Sequence, residues 1–373
     1  MSFSKIIPAL IAVAFLCDVS LRTLPAERFA FRGWEAVARY KYGFGPFEPN
    51  KHYSSDRTHG DLPNLGNIPK YRVYHPETFT TDECGFRNSR SLSGEIPFDA
   101  VTIGSSFTVS TGVSDTETLA AQLEQLSGLT VYNAGGLAPE TTWIVPLLQR
   151  IKLGRGVVIL EHLEGRRILL NLTENPDSSG ADDPCDTSGW YKTRTAVKEV
   201  GKGFYNVSPL RIFTQRAFNG LRNDVLLPND HSAILQRHLK NGKTMLFLAQ
   251  EVRTLNNPTP AAQVLEQWKR FEEILAQRHL KLVVLQVPAK YTVYGPLLDT
   301  PAIPSPHDEL AELHELATRA GLVSVNLKPI LQAAAAEGLK NDQYLYFIDD
   351  SHWNAEGIRV AAKVIAETVA GLK

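Results

Sequence analysis

The 373-residue sequence contains no basic tract, no RNA-binding signature and no internal repeat. Lysine and arginine together number 39 and aspartate and glutamate 40, which gives a formal net charge of −1. A chain this close to neutral exerts no general electrostatic attraction on nucleic acid or anionic lipid. The composition therefore argues against a nucleic-acid partner, and the length allows one elaborated domain or two ordinary ones.

Several motifs of other enzyme classes are also missing. No GxSxG pentapeptide occurs at a predicted strand end, and no GxGxxG follows the first predicted strand, which disfavours an α/β-hydrolase and a dinucleotide-binding protein. His162 stands between Glu161 and Glu164 without a CxxC or a second histidine nearby. We interpret these three residues as a structural polar cluster and expect neither a metal nor a cofactor.

Cysteine is scarce, with three residues in the chain. Cys17 lies within an apolar run, whereas Cys84 and Cys185 lie in polar, loop-like surroundings. An oxidising compartment would allow these two to pair, and two unrelated thiols fit the pattern equally well.

Long hydrophobic runs are absent except near the N-terminus, where residues 6 to 17 read IIPALIAVAFLC between Lys5 and Asp18. This run is shorter than the roughly 20 residues that span a bilayer and is close to the core of a signal peptide. We interpret residues 1 to 25 as an export signal or a retained anchor, the alternative being an ordinary buried helix. The expected location is the periplasm or cell envelope, as a secreted or N-terminally anchored protein.

From residue 98 onward, short apolar runs alternate with amphipathic segments, which is typical of a parallel α/β sheet. Strands are predicted at 98–104, 129–135, 156–163, 282–288 and 322–327, and helices at 114–128, at 308–320 and from Ala355. One more helix carries Val264, Trp268, Phe271 and Leu275 on one face. Five strands with crossover helices predict a three-layer α/β/α sandwich.

Two regions lie outside this alternation. Residues 26 to 97 are rich in aromatic residues, proline and turns, and we predict that they form a covering lobe with a hairpin turning at residues 83 to 85. The domain proper is then 98–373, with a polar insertion at about 172–260 whose stretch 174–189 is too rich in Asp, Ser, Gly and Pro for a regular element.

The first strand ends in Gly104-Ser105-Ser106, and the chain later carries Asp349, Asp350 and His352 on one short loop. In parallel α/β sheets the ligand site lies beyond the carboxyl ends of the strands. A serine hydroxyl there becomes a nucleophile when a histidine removes its proton and a carboxylate orients that histidine. Asn354 is a natural N-cap for the helix that follows, so the loop is anchored directly after the base.

The segments IGSSFTVSTGV (103–113), NAGGLAPETT (133–142) and DDSHWNAEG (349–357) resemble the first, second and last blocks of the SGNH, or GDSL-type, hydrolase superfamily. The resemblance implies a flavodoxin-like sheet and esterase, lipase or O-acyltransferase chemistry. It also implies a nucleophile at Ser106, a base at His352 and an acid at Asp349, three residues before the base. Ser105 and Asp350 are the alternates.

The oxyanion-binding blocks depart from the family pattern. The oxyanion glycine of the second block falls on Ala138, with Gly135 and Gly136 beside it, and the third block reads Gly165-Arg166-Arg167 instead of Gly-Asn-Asp. The resemblance therefore implies oxyanion donors from Ala138, Gly136 and Arg166.

SHWN (351–354), the N-terminal apolar segment and VPAKYTVYGPLL (287–298) are also similar to bacterial envelope proteins related to alginate O-acetyltransferases. Some members of that group carry the acid two residues before the histidine, which would favour Asp350. This likeness implies O-acyl, chiefly O-acetyl, cleavage or transfer on a cell-surface carbohydrate. The implied partners are a carbohydrate or acyl-ester substrate and a membrane acyl-donor protein. The alternative is a catalytically degenerate scaffold of a polysaccharide system.

Overall fold

A computed structural model describes most of the chain. Its described residues are 3–21, 23–24, 30–37, 45–92, 97–136, 144–151, 153–166, 233–255, 259–300 and 307–372, with residues 172, 185, 210, 214, 217, 218 and 221.

The strands and helices of the described residues have the following bounds. The strands are β1 His52–Thr58, β2 His75–Thr80, β3 Phe98–Gly104, β4 Val131–Gly135, β5 Leu153–Leu163, β6 Ile234–His238, β7 Thr244–Leu248, β8 Lys281–Val287 and β9 Val323–Asn326. The α-helices are α1 Phe3–Leu21, α2 Gly33–Val37, α3 Leu62–Leu65, α4 Ser106–Val109, α5 Leu119–Ser127, α6 Ile144–Arg150, α7 Ala249–Thr254, α8 Ala261–Ala276, α9 Lys290–Tyr294, α10 Glu309–Arg319, α11 Lys328–Leu339 and α12 Ala355–Ala370.

The central sheet has five parallel strands in the order β4-β3-β5-β8-β9. Numbered along the chain this is 2-1-3-4-5, the flavodoxin-like order, which places a switch point between β3 and β5. The sheet confirms the predicted fold class, and each predicted strand overlaps an observed one. At the switch point the carboxyl ends of β3 and β5 lie side by side, so the segments after Gly104 and Leu163 share one edge.

Helices cover both faces of the sheet. One buried cluster joins the sheet to α5, α11 and α12, and the other joins it to α6, α8 and α10. The predicted face of α8 is buried along its whole length, with Val264, Trp268, Phe271 and Leu275 at most 2% exposed. Ser114 and Glu117 form a capping box on a 3₁₀ turn at Asp115–Glu117 that precedes α5. Asn354 is the predicted N-cap of α12 and accepts N–H bonds from its first turn.

The lobe before the sheet packs directly on the nucleophile region. Its strands β1 and β2 pair antiparallel, and Phe47, Tyr53 and Phe79 form a small core with Val109 of α4. The buried Arg87 donates to the carbonyl oxygens of Val109 and Ser110, at 3.2 and 2.7 Å. These contacts fix α4 from the side opposite the sheet.

The hairpin predicted at residues 83–85 is a tight turn without a second strand in the described residues. Asp82 N–H donates to the Phe86 carbonyl oxygen at 3.0 Å, and Gly85 adopts φ 81°. The strand before it, β2, pairs with β1 instead of with the residues after the turn. The turn lies where it was predicted, but the strand before it does not form a hairpin with the residues that follow.

The predicted insertion is only partly described, and its residues 174–189 lie outside the described part except for Cys185. Its last third forms an antiparallel hairpin of β6 and β7, which the sequence analysis missed. Ile234 and Leu246 of this hairpin pack with Leu62 and Ile68 of the lobe. Cys185 forms a disulfide with Cys84, 101 residues earlier in the chain.

The apolar N-terminal run lies within α1, and its large side chains from Ile7 to Leu16 are 53 to 64% exposed. It is therefore not the buried helix of the alternative interpretation. Among the described residues, no helix combines the length and apolar character that crossing a membrane requires.

Candidate active site

The first strand of the sheet leads straight into the candidate nucleophile. β3 ends at Gly104, Ser105 is the N-cap of α4, and Ser106 is the first residue of that helix. A Cβ on Gly104 would lie 2.2 Å from Thr108 Oγ1 and 2.4 Å from Glu161 Oε2, so only glycine fits where the chain turns.

The buried carboxylate of Glu161 on β5 holds this turn in place. It accepts the N–H and hydroxyl of Ser105, at 3.0 and 2.5 Å, and the N–H of Thr108 at 2.8 Å, and it also accepts the Thr108 hydroxyl. Because Ser105 Oγ is committed to Glu161, Ser106 is the serine left to face the base. The position of Glu161 across the switch point from β3 explains this contact.

His352 approaches Ser106 from the far end of the chain. Its Nε2 lies 2.7 Å from Ser106 Oγ, although the two residues are 246 positions apart. Its Nδ1 lies 2.5 Å from Asp350 Oδ1. With Asp350 ionised, Nδ1 carries the proton and donates to the carboxylate, which leaves Nε2 free to accept the serine proton.

The carboxylate beside His352 is Asp350, so the first-ranked assignment to Asp349 is wrong. Asp350 Oδ1 also accepts the backbone N–H of His352 at 3.0 Å, which is the hydrogen bond of an Asx turn to a residue two positions on. Asp349 turns to the lobe, where its Oδ2 accepts the N–H groups of Gly60 and Val73, both at 2.9 Å.

The second oxygen of Asp350 is held by the lobe. Arg32 Nη1 donates to Oδ2 at 2.7 Å, and the N–H of Asp61 donates to the same oxygen at 3.0 Å. Burial alone would raise the pKa of Asp350, but the charges of Arg32 and His352 and the hydrogen bonds from His352 outweigh it and hold this pKa well below its usual range. The carboxylate therefore stays ionised.

Lys290 fixes the same loop through its backbone. Its fully buried ammonium donates to the carbonyl oxygens of Leu246, Phe347 and Asp350, at 2.6, 2.6 and 2.9 Å. Burial lowers the pKa of Lys290 to about 8, so the group remains protonated at neutral pH. Lys290 belongs to the segment VPAKYTVYGPLL (287–298), and it lies behind the site as a buried support.

Backbone donors for an oxyanion are partly available. Within the described residues the N–H of Ser106, at the start of α4, makes no hydrogen bond. The N–H of Gly136 already donates to the carbonyl oxygen of Gly104 at 2.8 Å, and that of Gly135 donates to Asn133 Oδ1 at 2.9 Å. The assignment of Gly136 as an oxyanion donor is therefore wrong, and Ala138 lies outside the described residues.

An open cleft of about 880 Å³ contains Ser106 and His352. The exposed Arg166 lines it, as does Arg253 of α7, while Arg32, Trp34 and Asp61 line it from the lobe. Burial, then the neighbouring Asp350, raise the pKa of Asp61 to about 6. The cleft thus combines a serine–histidine pair with an aromatic side chain and charges of both signs.

The predicted polar cluster at the carboxyl end of β5 is structural, and each member supports a different segment. His162 is fully buried and its Nε2 lies 3.2 Å from Glu309 Oε1, while Glu309 Oε2 accepts the N–H of Gly165 at 2.9 Å. Glu164 accepts the N–H of Ala289 at 2.9 Å. The segment 161–165 therefore orders the nucleophile turn, the Arg166 turn and the start of α9.

Among the described residues, Asp61, Asp350 and His352 form a group whose ligand atoms lie within 4.8 Å of one another. The atoms of Asp350 and His352 already bond to each other, to Arg32 and to Ser106. The Arg32 cation beside Asp350 also opposes a second cation. We therefore interpret this group as a network of ion pairs.

Sequence reasoning missed Arg32, Asp61 and the supporting role of Glu161. Arg32 and Asp61 lie in a segment with no motif, and Arg32 is 318 positions from its partner Asp350. Glu161 did carry a signal, because it ends a strand predicted to lie beside the nucleophile strand.

The C-terminal part of the chain is similar to SGNH hydrolase-like domains. Residues 243–373 match the family model described as SGNH hydrolase-like domain, acetyltransferase AlgX. The chain is also similar to the probable alginate O-acetylase AlgJ of Pseudomonas putida, with 31% identity over 185 residues, which cover 48% of this chain and 41% of the relative. The match thus spans about two fifths of that relative's length. Both findings confirm the predicted resemblance to SGNH-like proteins of the alginate O-acetyltransferase type.

Proposed function

We propose that this chain is a serine-dependent O-acyltransferase or esterase that moves an acetyl group to or from a hydroxyl of a cell-surface carbohydrate. The observation that carries the proposal is the unbroken contact from Ser106 Oγ to His352 Nε2, at 2.7 Å, and from His352 Nδ1 to Asp350, at 2.5 Å, in an open cleft. Both lengths are in hydrogen-bonding range, as a nucleophile and its general base require.

The reaction has two halves. Ser106 Oγ attacks the acetyl carbonyl carbon while His352 Nε2 takes the hydroxyl proton, and Asp350 stabilises the imidazolium that forms. The tetrahedral intermediate then expels the donor's alkoxide, which takes the proton from His352 and leaves acetyl-Ser106. In the second half a sugar hydroxyl or water attacks that ester, His352 accepts its proton, and Ser106 leaves and regains the proton.

The negative oxygen of each intermediate needs donors. The free N–H of Ser106 supports a role as one donor, and the guanidinium of Arg166 in the same cleft supports a role as another. An arginine in place of the family's asparagine brings a full positive charge to that oxygen.

The relatives' names support acetyl as the group and a polysaccharide as the acceptor. The family model is that of an acetyltransferase, and the similar Pseudomonas protein is a probable alginate O-acetylase. The disulfide between Cys84 and Cys185 supports an oxidising location such as the periplasm. A membrane protein as acetyl donor is the partner that the resemblance to alginate O-acetyltransferases implies.

Labelling with a fluorophosphonate probe tests the nucleophile. The wild type should label stoichiometrically and Ser106→Ala should not. Ser351→Ala is the matched control because Ser351 lines the same cleft, and it should label like the wild type. Labelling of Ser106→Ala at the wild-type level would reject Ser106. Failure of the wild type to label or to hydrolyse 4-nitrophenyl acetate would favour the degenerate scaffold.

Transfer and hydrolysis are separated by mass spectrometry. The acetyl-enzyme is formed from 4-nitrophenyl acetate and mixed with a mannuronate oligosaccharide. Appearance of acetylated oligosaccharide indicates transfer, and release of acetate alone indicates an esterase.

A further inference from the structure

We propose that Arg32 of the N-terminal lobe is a positioning residue for the proposed acyl transfer, acting through Asp350 on His352. The inference rests on the proposed function and extends the catalytic array into a segment that carries no family motif.

The two oxygens of Asp350 have separate partners. Oδ1 faces His352, bonding to its Nδ1 and its backbone N–H, while Oδ2 accepts Arg32 Nη1 at 2.7 Å. The Arg32 and Asp350 side chains are 9% and 2% exposed, so little solvent screens the pair. With one oxygen held by Arg32, the carboxylate cannot rotate without breaking a buried charged hydrogen bond.

Arg32 is itself held firmly. Its Nε donates to the two carboxylate oxygens of Glu35 at 3.1 and 2.9 Å, and its Nη2 lies 3.7 Å from Asp61 Oδ2. A guanidinium suits this position because its planar donors serve several carboxylates at once. The cation therefore has a fixed orientation towards Asp350.

The charge of Arg32 also matters to Asp350. The groups with charge that face this carboxylate are Arg32, His352, Asp61, Lys290, Asp349 and His75. Burial raises the pKa of Asp350, whereas the charge of Arg32 and the charge and hydrogen bonds of His352 lower it. Without Arg32, Asp350 would take up a proton at a higher pH. The protonated carboxyl would then no longer favour the neutral tautomer of His352 that carries its proton on Nδ1.

A purely structural tie between lobe and domain would behave differently. Its loss would lower stability and activity by the same factor at every pH, and any residue that refilled the space would restore both. A positioning role predicts that activity depends on the positive charge and that the acidic side of the pH profile moves.

The test compares Arg32→Ala and Arg32→Lys with the wild type in the pH dependence of kcat/KM for 4-nitrophenyl acetate and in the rate of fluorophosphonate labelling. Arg57→Ala is the matched control, since Arg57 is an exposed arginine of the same lobe. We expect Arg32→Ala to lose about 10- to 100-fold in kcat/KM, with the acidic limb shifted to higher pH. Arg32→Lys should recover at least part of the rate and the original limb.

Wild-type profiles for Arg32→Ala, or a pH-independent loss that Arg32→Lys does not repair, would overturn the inference. If circular dichroism shows that Arg32→Ala does not fold, Arg32→Lys and Arg32→Gln provide the same comparison of a charged with a neutral side chain. If the wild type labels and these variants match it in labelling rate and pH profile, only the role of Arg32 is rejected. A wild type that does not label rejects the proposed function, and the inference falls with it.

Discussion

Gly60 of the lobe donates its N–H to Asp349 Oδ2 at 2.9 Å and packs against the backbone of the same residue. A Cβ at Gly60 would lie 2.0 Å from the Asp349 carbonyl oxygen and 2.8 Å from the Asp350 nitrogen. The lobe thus approaches the candidate catalytic loop as closely as a backbone can. This contact explains why the loop that carries His352 has a fixed path.

Gly60→Ala should therefore displace the loop. We expect a loss of about 2–4 kcal/mol in the free energy of unfolding, since overpacking of backbone against backbone cannot relax by a side-chain rotation. Urea denaturation and esterase assays measure the two effects. Gly371→Ala is the control, because a Cβ there would come no closer than 3.3 Å to a neighbour.

Substitutions of the two neighbouring aspartates should have different effects on activity and stability. Asp350→Asn should lower kcat by about 10³- to 10⁴-fold, because an amide disturbs the tautomer of His352. Asp349→Asn should retain most of kcat and lose about 1–3 kcal/mol of stability, because the amide oxygen can still accept both N–H groups while the amide NH2 is buried without an acceptor. Equal losses of kcat in both variants, measured by steady-state kinetics, would contradict the assignment of Asp350.

Lys290→Met should make the loop of residues 347–350 more mobile. Lys290 does not line the cleft, so the substitution leaves the cleft residues unchanged. The substitution leaves three buried carbonyl oxygens without their donor, which costs about 3–5 kcal/mol. We expect a lower melting temperature and, below it, faster amide exchange at residues 347–350 than in the wild type. Unchanged exchange there, seen by hydrogen–deuterium exchange mass spectrometry, would count against a role for Lys290 in fixing the loop.

Buried carboxyls should make the protein less stable as the pH rises. Burial raises the pKa of Glu77 from 4.5 to about 7, and raises those of Asp61 and Asp82 to about 6 and of Glu251 to about 7. Between their unfolded and folded pKa values the folded state binds more protons, so the free energy of unfolding falls as the pH rises from about 4 to 7. Glu77 alone accounts for a change of about 3 kcal/mol.

Glu77→Gln should reduce that slope, measured by urea denaturation at several pH values. Glu266→Gln, at an exposed position of α8, should leave it unchanged. A slope in Glu77→Gln equal to that of the wild type would show that Glu77 keeps its ordinary pKa in the folded protein.

Local patterns in the sequence determined the elements and the chemistry of the site. The alternation of apolar runs and amphipathic helices is a local property, so it predicted the five strands and the helix face of Val264 and Trp268. The capping residue Asn354 acts within one helical turn and was predictable for the same reason. Ser106 and His352 were found because each stands at a strand end or before a capped helix.

Only the tertiary structure decided which groups meet. Asp349 and Asp350 are adjacent in sequence, and the choice between them depends on an Asx turn and on three lobe residues that lie 289 to 318 positions earlier: Gly60, Arg32 and Asp61. The sequence made Gly136 a reasonable oxyanion donor, but in the turn after β4 its N–H donates to the carbonyl oxygen of Gly104. Hydrogen bonds of this kind depend on backbone paths through space, which side-chain periodicity does not encode.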